Sequence, residues 1–419
     1  MRNELQHSKG GTSVNDVHAR NGRDSQILDS GDGVLPVATE IVATEIVASE
    51  IVATVIRVHN GPISGIVASP DGGRLLVTNY GSDTVSVIDT DTCRVVETVD
   101  GVNEPYAIAM GGSDPDRAYV TTVSPAYDSI AVIDVPTNAV TATHPLALSV
   151  SDLAVSADGR YVYASRNGVR GADVVVLDTT TGGVEVIDLP EAAEGSEASA
   201  ITTECVRVSP DGARLYVGTN GPAGGRLVVF GAKSDDATTG RTRWRKKGSK
   251  KSTRPGAVAQ TGWSVLATIA IGLPIRDVAL SPNGATAYVA SCGVDCDAVV
   301  DVVDTRKNKI TGTRKIAEIG GILTGMTLSG DGDRAYLVSD DRITVLCTLT
   351  HDVTGTLRVA QPSCVVESQD GKNLYIADYS GAVIVAPVAS AVVAIGSDID
   401  SEAAEWAVPE LLAYEPALA

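Results

Sequence analysis

One short phrase, S-x-D-G-x-x-L/A-Y-V, recurs from end to end of the chain and constrains its fold more than any other feature. The copies are SPDGGRLLVTN (69–79), SDPDRAYVTT (113–122), SADGRYVYAS (156–165), SPDGARLYVGTN (209–220), SPNGATAYVAS (281–291), SGDGDRAYLVS (329–339) and SQDGKNLYIAD (368–378). Aligned on Leu76, Tyr119, Tyr163, Tyr216, Tyr288, Tyr336 and Tyr375, they are spaced by 43, 44, 53, 72, 48 and 39 residues. Self-similarity at such a period marks an array of supersecondary units, each of which buries its faces only against its neighbours.

The first unit shows what each one contains. Alternating apolar residues predict strand A over 63–68 (ISGIVA), strand B over 74–79 (RLLVTN), strand C over 84–89 (TVSVID) and strand D over 94–99 (RVVETV). The SPDG phrase is hairpin chemistry: Pro presets φ, Asp bonds the following backbone and Gly accepts a positive φ. The C-to-D turns, DTDTC, DVPTN, DTTTGG and DTRKN, are equally rich in turn formers. Composition agrees. Aromatic residues are only 4% of the chain and Gly numbers 42, so the interior is packed by aliphatic, largely β-branched side chains between many tight turns. The expected fold is all-β, a seven-bladed β-propeller of four-stranded antiparallel blades.

The repeats LLVTNYGSDTVSVIDTDT, AYVTT and LYVGTN resemble the YVTN-type β-propeller repeat family over about residues 51 to 390. The resemblance implies the propeller fold strongly and function weakly. The family holds binding and surface proteins as well as propellers related to lactonases and cytochrome-linked enzymes.

A ring of sheets must close on itself, because an open edge would let its end blades part. Residues 38–58 read ATEIV ATEIV ASEIV ATVIRV, and the last copy, 51–58, aligns with VVETVDGV (95–102) at strand D of the first unit. Residues 51–58 are therefore expected to supply strand D of blade seven beside AVIVAP (382–387), with AVVAIG (391–396) as the competing donor. The organisation that follows is a disordered polar leader (1–37), a low-complexity pentapeptide repeat (38–50), a propeller (51–396) with a basic insertion (232–261), and an acidic tail (397–419).

The net charge of -19 predicts repulsion from nucleic acid and anionic membranes except where charge is locally reversed. RTRWRKKGSKKSTR is such a place, and Arg241, Arg243, Trp244, Arg245, Lys246, Lys247, Lys250, Lys251 and Arg254 form a candidate polyanion-binding tract. The polar N-terminal stretch has no apolar run of signal-peptide length and no later segment has 18 uninterrupted apolar residues, so a cytoplasmic monomer is expected, with the cell surface or export without a recognisable signal as the alternative. Cys93, Cys205, Cys347 and Cys364 sit in apolar, strand-like runs and read as small core residues. Cys292 and Cys296 are spaced for a local disulfide or metal pair but have no His nearby.

Propeller ligands approach the face that carries the D-to-A and B-to-C loops. The ligand-face candidates there are Asn79, Tyr80, Asp83, Tyr106, Asp128, Arg170, Asn220, Asp340, Asp378 and Tyr379. Catalysis needs a base or carboxylate within hydrogen-bond reach of substrate. His59, Glu104, His144 and Arg276, placed in the D-to-A loops, and Arg166, placed in a B-to-C loop, are the available acid, base and anion-holding groups, and the lactonase relatives make a sugar-lactone hydrolase the enzymatic alternative. Asn79, Glu104, Asp128 and Asp340 could offer oxygens to calcium, although such sites need six or more. No haem, nucleotide or nucleophile-elbow motif occurs. The leading expectation is a non-catalytic scaffold that needs no cofactor or metal and binds a protein or small ligand through one face.

Overall fold

The computed structural model describes residues 53–389, apart from 125–126, 147–148, 169–170, 191–200, 233–261, 294–297 and 318. Seven four-stranded antiparallel sheets stand around a central axis, and in each the strands run A, B, C, D outward from the channel. The first sheet pairs Ile63–Ala68, Arg74–Asn79, Thr84–Asp89 and Arg94–Asp100 in that order, matching the strands read from the sequence. The fold is the expected seven-bladed propeller.

The recurring phrase closes the A-to-B hairpin. In blade one, Ser69 Oγ donates to Asp71 Oδ1 at 2.5 Å, and Asp71 Oδ1 accepts the Gly73 N–H at 3.1 Å. Ser69 Oγ accepts the Arg74 N–H at 2.9 Å, while Gly72 takes φ +75° and donates its N–H to Ser69 O. The same network recurs about Ser156, Ser209, Ser281, Ser329 and Ser368. Blade two departs: its strand B begins at Asp114, and Ser113 Oγ instead donates to Ala157 O of blade three.

The repeated tyrosine faces the next blade. Tyr119 Oη donates to Gly159 O at 3.3 Å, Tyr288 Oη to Thr348 O at 3.4 Å and Tyr336 Oη to Glu367 Oε1 at 3.1 Å, each crossing to the following unit. Strand B alternation divides the core: Leu75 packs with Tyr375 of blade seven, while Leu76 packs with Val120 of blade two. Seven such clusters fill the seven junctions between blades.

Thr54–Arg57 completes blade seven beside Ala382–Pro387, with Thr54 opposite Val385 and Ile56 opposite Val383. Ala53, Ile56 and Val58 are buried there. The rival donor 391–396, the leader, the pentapeptide repeat through residue 52 and the acidic tail lie outside the described residues. Cys93 corrects the sequence reading: it belongs to a C-to-D turn at φ +53°, not to a strand. Among the described residues no helix is long and apolar enough to cross a membrane.

Candidate functional site

The innermost strands share an irregularity that builds a site. In six blades the pairing of strand A with strand B skips one residue, between Ile63 and Gly65, Val150 and Asp152, Thr203 and Cys205, Ile275 and Asp277, Leu323 and Gly325, and Pro362 and Cys364. Blade two does the same at Tyr106, whose N–H donates to Thr121 O while Thr121 N–H donates to Ala107 O. A bulge of this kind re-aims a side chain and interrupts alternation. The skipped residues are Ser64, Tyr106, Ser151, Glu204, Arg276, Thr324 and Ser363, and all seven line one central cavity of about 700 Å³. Tyr379 and Ile322 border it from the loops, so it opens on the D-to-A and B-to-C face. A cavity of this size suits a small organic ligand.

Deeper in the channel, Arg207 of blade four is held by both neighbouring blades. Its Nη1 lies 2.5 Å from Asp152 Oδ2 of blade three, and its Nη2 lies 2.6 Å from Asp277 Oδ1 of blade five. Backbone N–H groups fix the carboxylates: Val206 donates to Asp152 at 3.0 Å, and Val278 and Met326 donate to Asp277 at 2.7 and 2.9 Å. Burial pushes Asp277 above the usual carboxylate range against the lowering field of Arg207. Burial also works against the Arg207 cation, but Asp152 and Asp277 overcome it and raise the guanidinium above its ordinary value. The three groups are an ion triad that ties blades three to five together.

At the rim both signs of charge are present and kept apart. Among the described residues Glu204 accepts only the Thr202 hydroxyl, at 3.2 Å. Arg276, on the adjacent blade, is exposed to the channel and makes no hydrogen bond or ion pair among the described residues. Tyr106 is half exposed, and burial first, then the charges of Tyr379 and Asp152, push its phenol upward. Cys205 and Cys364 also line the cavity, but burial raises both thiols, that of Cys364 to about 12, so neither is a ready nucleophile.

Most sequence candidates are placed elsewhere. His59 is exposed in the D-to-A loop at φ +62°. His144 is not in a loop: it lies on strand D of blade two opposite Ile130, at the outer edge, because that strand runs to Pro145. Arg166 belongs to strand B of blade three and is engaged by Asp173 through bonds of 2.7 and 2.8 Å. Glu104 accepts the Tyr80 hydroxyl at 3.3 Å, its charge raising that phenol, and its N–H donates to Asp83. Of the five acid, base and anion-holding candidates only Arg276 lines the cavity, joined there by Tyr106 and Tyr379.

Several loop-face candidates fasten blades instead. Asp128 is buried and accepts the Val150 N–H of the next blade at 2.9 Å. Asn220 accepts from Ile275 N–H at 2.7 Å and donates to Ile275 O at 2.9 Å, and Asn167 clasps Thr203 in the same way. Asn79 is buried and donates to Thr84 and Ser86; Asp340 accepts from Ile322 N–H; Asp378 caps its own turn through Ser380 and Ala382. The calcium candidates Asn79, Glu104, Asp128 and Asp340 are thus engaged in separate contacts. Among the described residues no group of three or more His, Cys, Asp or Glu could hold a metal ion.

Arg170, Cys296 and the whole tract from Arg241 to Arg254 lie outside the described residues. The strands flanking the tract end at Ala232 and begin at Trp263. These anchors border a cavity of about 890 Å³ lined by Asp158, Asp178, Glu185 and Asp211.

Sequence reasoning missed Ser64, Ser151, Asp152, Glu204, Arg207, Asp277, Thr324 and Ser363 because it looked for ligand residues in loops, and these stand on strand A. A signal existed. Aligning ISGIVA, VSDLAV, TECVRV, IRDVAL and LTGMTL places a polar residue at one matched position where simple alternation expects a core residue.

The chain is 55% identical over 406 residues to the seven-bladed beta-propeller protein Rv1057 of Mycobacterium tuberculosis, an alignment that spans 96% of this chain and 98% of that one. Among solved structures it is similar to the Kuenenia stuttgartiensis hydrazine synthase, with a TM-score of 0.61, 19% identity, and coverage of 78% of this chain and 96% of that chain. That second likeness concerns the fold alone. No family model matches the sequence.

Proposed function

Because the chain belongs to the family of seven-bladed β-propeller proteins that includes Rv1057 of Mycobacterium tuberculosis, we propose that it is a non-catalytic binding propeller that takes a small ligand at the mouth of its central channel. The repeat phrases favour placing it with the YVTN-type propellers. The observation that carries the reading is the convergence of seven bulged residues on one cavity, with Arg276 unpaired among the described residues and so open to an anionic group. A lactonase-type reaction finds less support. His144 and Arg166, two of its candidate groups, stand apart from that cavity, and Arg166 is already occupied by Asp173.

The test is a thermal-shift screen of a metabolite library on the full chain, with each stabilising compound titrated against the Arg276→Ala and Tyr106→Ala variants. The expected result is at least one stabilising compound that both variants lose, and no turnover by the intact protein on a lactone panel. Stabilising compounds unaffected by either variant would place binding elsewhere, and lactone hydrolysis that disappears with His59→Ala or Glu104→Gln would restore the enzymatic alternative. The basic tract 241–254 supports a second binding activity toward polyanions. Its deletion should leave the melting temperature unchanged and abolish salt-sensitive polyanion binding; salt-sensitive binding that survives would dispose of it.

A further inference from the structure

We infer that the ligand taken at the channel mouth is a zwitterion of the amino-acid or short-peptide class, its carboxylate received by Arg276 and its ammonium by Glu204. The inference rests on the proposed binding role of the mouth and deepens it. Glu204 and Arg276 occupy the same bulged position on the adjacent inner strands of blades four and five, and both line the cavity. They form no ion pair with each other. Arg276 is the group to which a ligand carboxylate can bring a bidentate, charge-assisted contact. Glu204 has lone pairs in excess of the single hydroxyl, that of Thr202, that it accepts among the described residues.

The channel wall below explains why these two charges remain available. The other cation of the cavity, Arg207, is committed to Asp152 and Asp277, and those two carboxylates are committed to it and to backbone N–H groups. Neither Glu204 nor Arg276 can recruit a partner from that triad without breaking it. A ligand of one sign engages one of the rim charges and draws the other out of water uncompensated, whereas a molecule carrying both signs satisfies the two together. The remaining rim suits the rest of such a molecule. Ser151, Thr324 and Ser363 offer hydroxyls, and Tyr106 and Tyr379, each half exposed, offer ring faces for a side chain.

The experiment is calorimetric titration of the full chain with L-glutamine, L-phenylalanine and glycylglycine, each beside its N-acetyl and its carboxamide form. At least one free zwitterion should bind, and removing either of its charges should weaken binding by roughly tenfold or more, the size of one lost charge-assisted contact. Arg276→Ala should erase the preference for carboxylate over carboxamide but keep the preference for free amine. Glu204→Gln should do the reverse. Equal binding of N-acetyl and free forms, or no binding by any of the three zwitterions, overturns the inference. If some other compound is then lost with Arg276→Ala, the mouth remains the binding site and only the ligand class fails. If no compound depends on the mouth residues, the binding role fails too.

Discussion

Arg207 faces two carboxylates and 29% of its side chain remains open to the channel. Replacing it with Met leaves Asp152 and Asp277 facing each other with no cation between them, and removing one partner of a half-buried ion network is costly even where water reaches it. Urea denaturation should show a loss of about 3 kcal/mol for Arg207→Met. Adding Asp277→Asn should recover part of it, since the second change removes a charge that the first had stranded. A double variant that simply sums the two single losses would mean that the triad is not a coupled unit. These residues were hard to read in advance. Asp152 and Asp277 sit in SDLAV and RDVAL, where a lone acid in an apolar run gives no hint that a bulge at the residue just before it turns it toward a shared axis. Arg276 was singled out as a loop residue and proved to be a channel residue on the same irregular strand.

At the scale of the hairpin, the SxDG turn converts a hydroxyl and a carboxylate into stability with a defined pH dependence. Hydrogen bonds from Ser69, then from the Gly73 N–H, hold Asp71 below the usual carboxylate range, and Asp158, Asp211 and Asp331 are lowered by the same pair of contacts. Bonds from Lys372 and then Ser368 bring Asp370 to about 2. A carboxyl with a depressed folded value contributes stability that is fully present above its unfolded value, about 3.9, and is lost as pH falls through the folded one. The thermal midpoint should therefore fall steeply between about pH 4 and pH 2. In the variant carrying Asp71→Asn, Asp158→Asn, Asp211→Asn and Asp331→Asn together the fall should be shallower, and an unchanged slope would show that these turns do not govern it. Gly212, at φ +69° with nothing near its missing Cβ, isolates the backbone contribution. Gly212→Ala should cost about 1 kcal/mol through φ alone. The turns and the four strands of each blade were legible because their signals are local: a period of two and a short phrase. The bulges were not, because an extra residue in a strand looks like ordinary sequence until its partner strand is known.

Over the whole molecule, closure and site are one problem, since the cavity exists only while all seven inner strands face a common axis. Thr54–Arg57 makes that last connection, burying Ile56 and Val58 in the junction between blades seven and one. Removing residues 1–37 should leave the thermal midpoint unchanged, whereas removing 1–58 should lower it by roughly 10 °C or more through lost aliphatic burial and an opened ring. Equal effects would mean that another segment closes the ring. The alignment of 51–58 with strand D of the first unit anticipated this pairing, because a repeat leaves one vacant slot that only a matching segment fills. Which residues would meet at the centre was less visible, because residues of seven separate segments become neighbours only through that closure.

Ser363 offers the most direct test of a shared mouth. It stands on blade seven, at the same bulged position that Arg276 occupies on blade five. Titrating the full-length Ser363→Trp variant with the best zwitterion, after its melting temperature is shown to match that of the parent, tests whether the two positions enclose one binding volume. A loss of binding of tenfold or more is predicted, because an indole there fills space that the ligand needs. An unchanged dissociation constant would contradict a common central site and return the search to the loops of single blades.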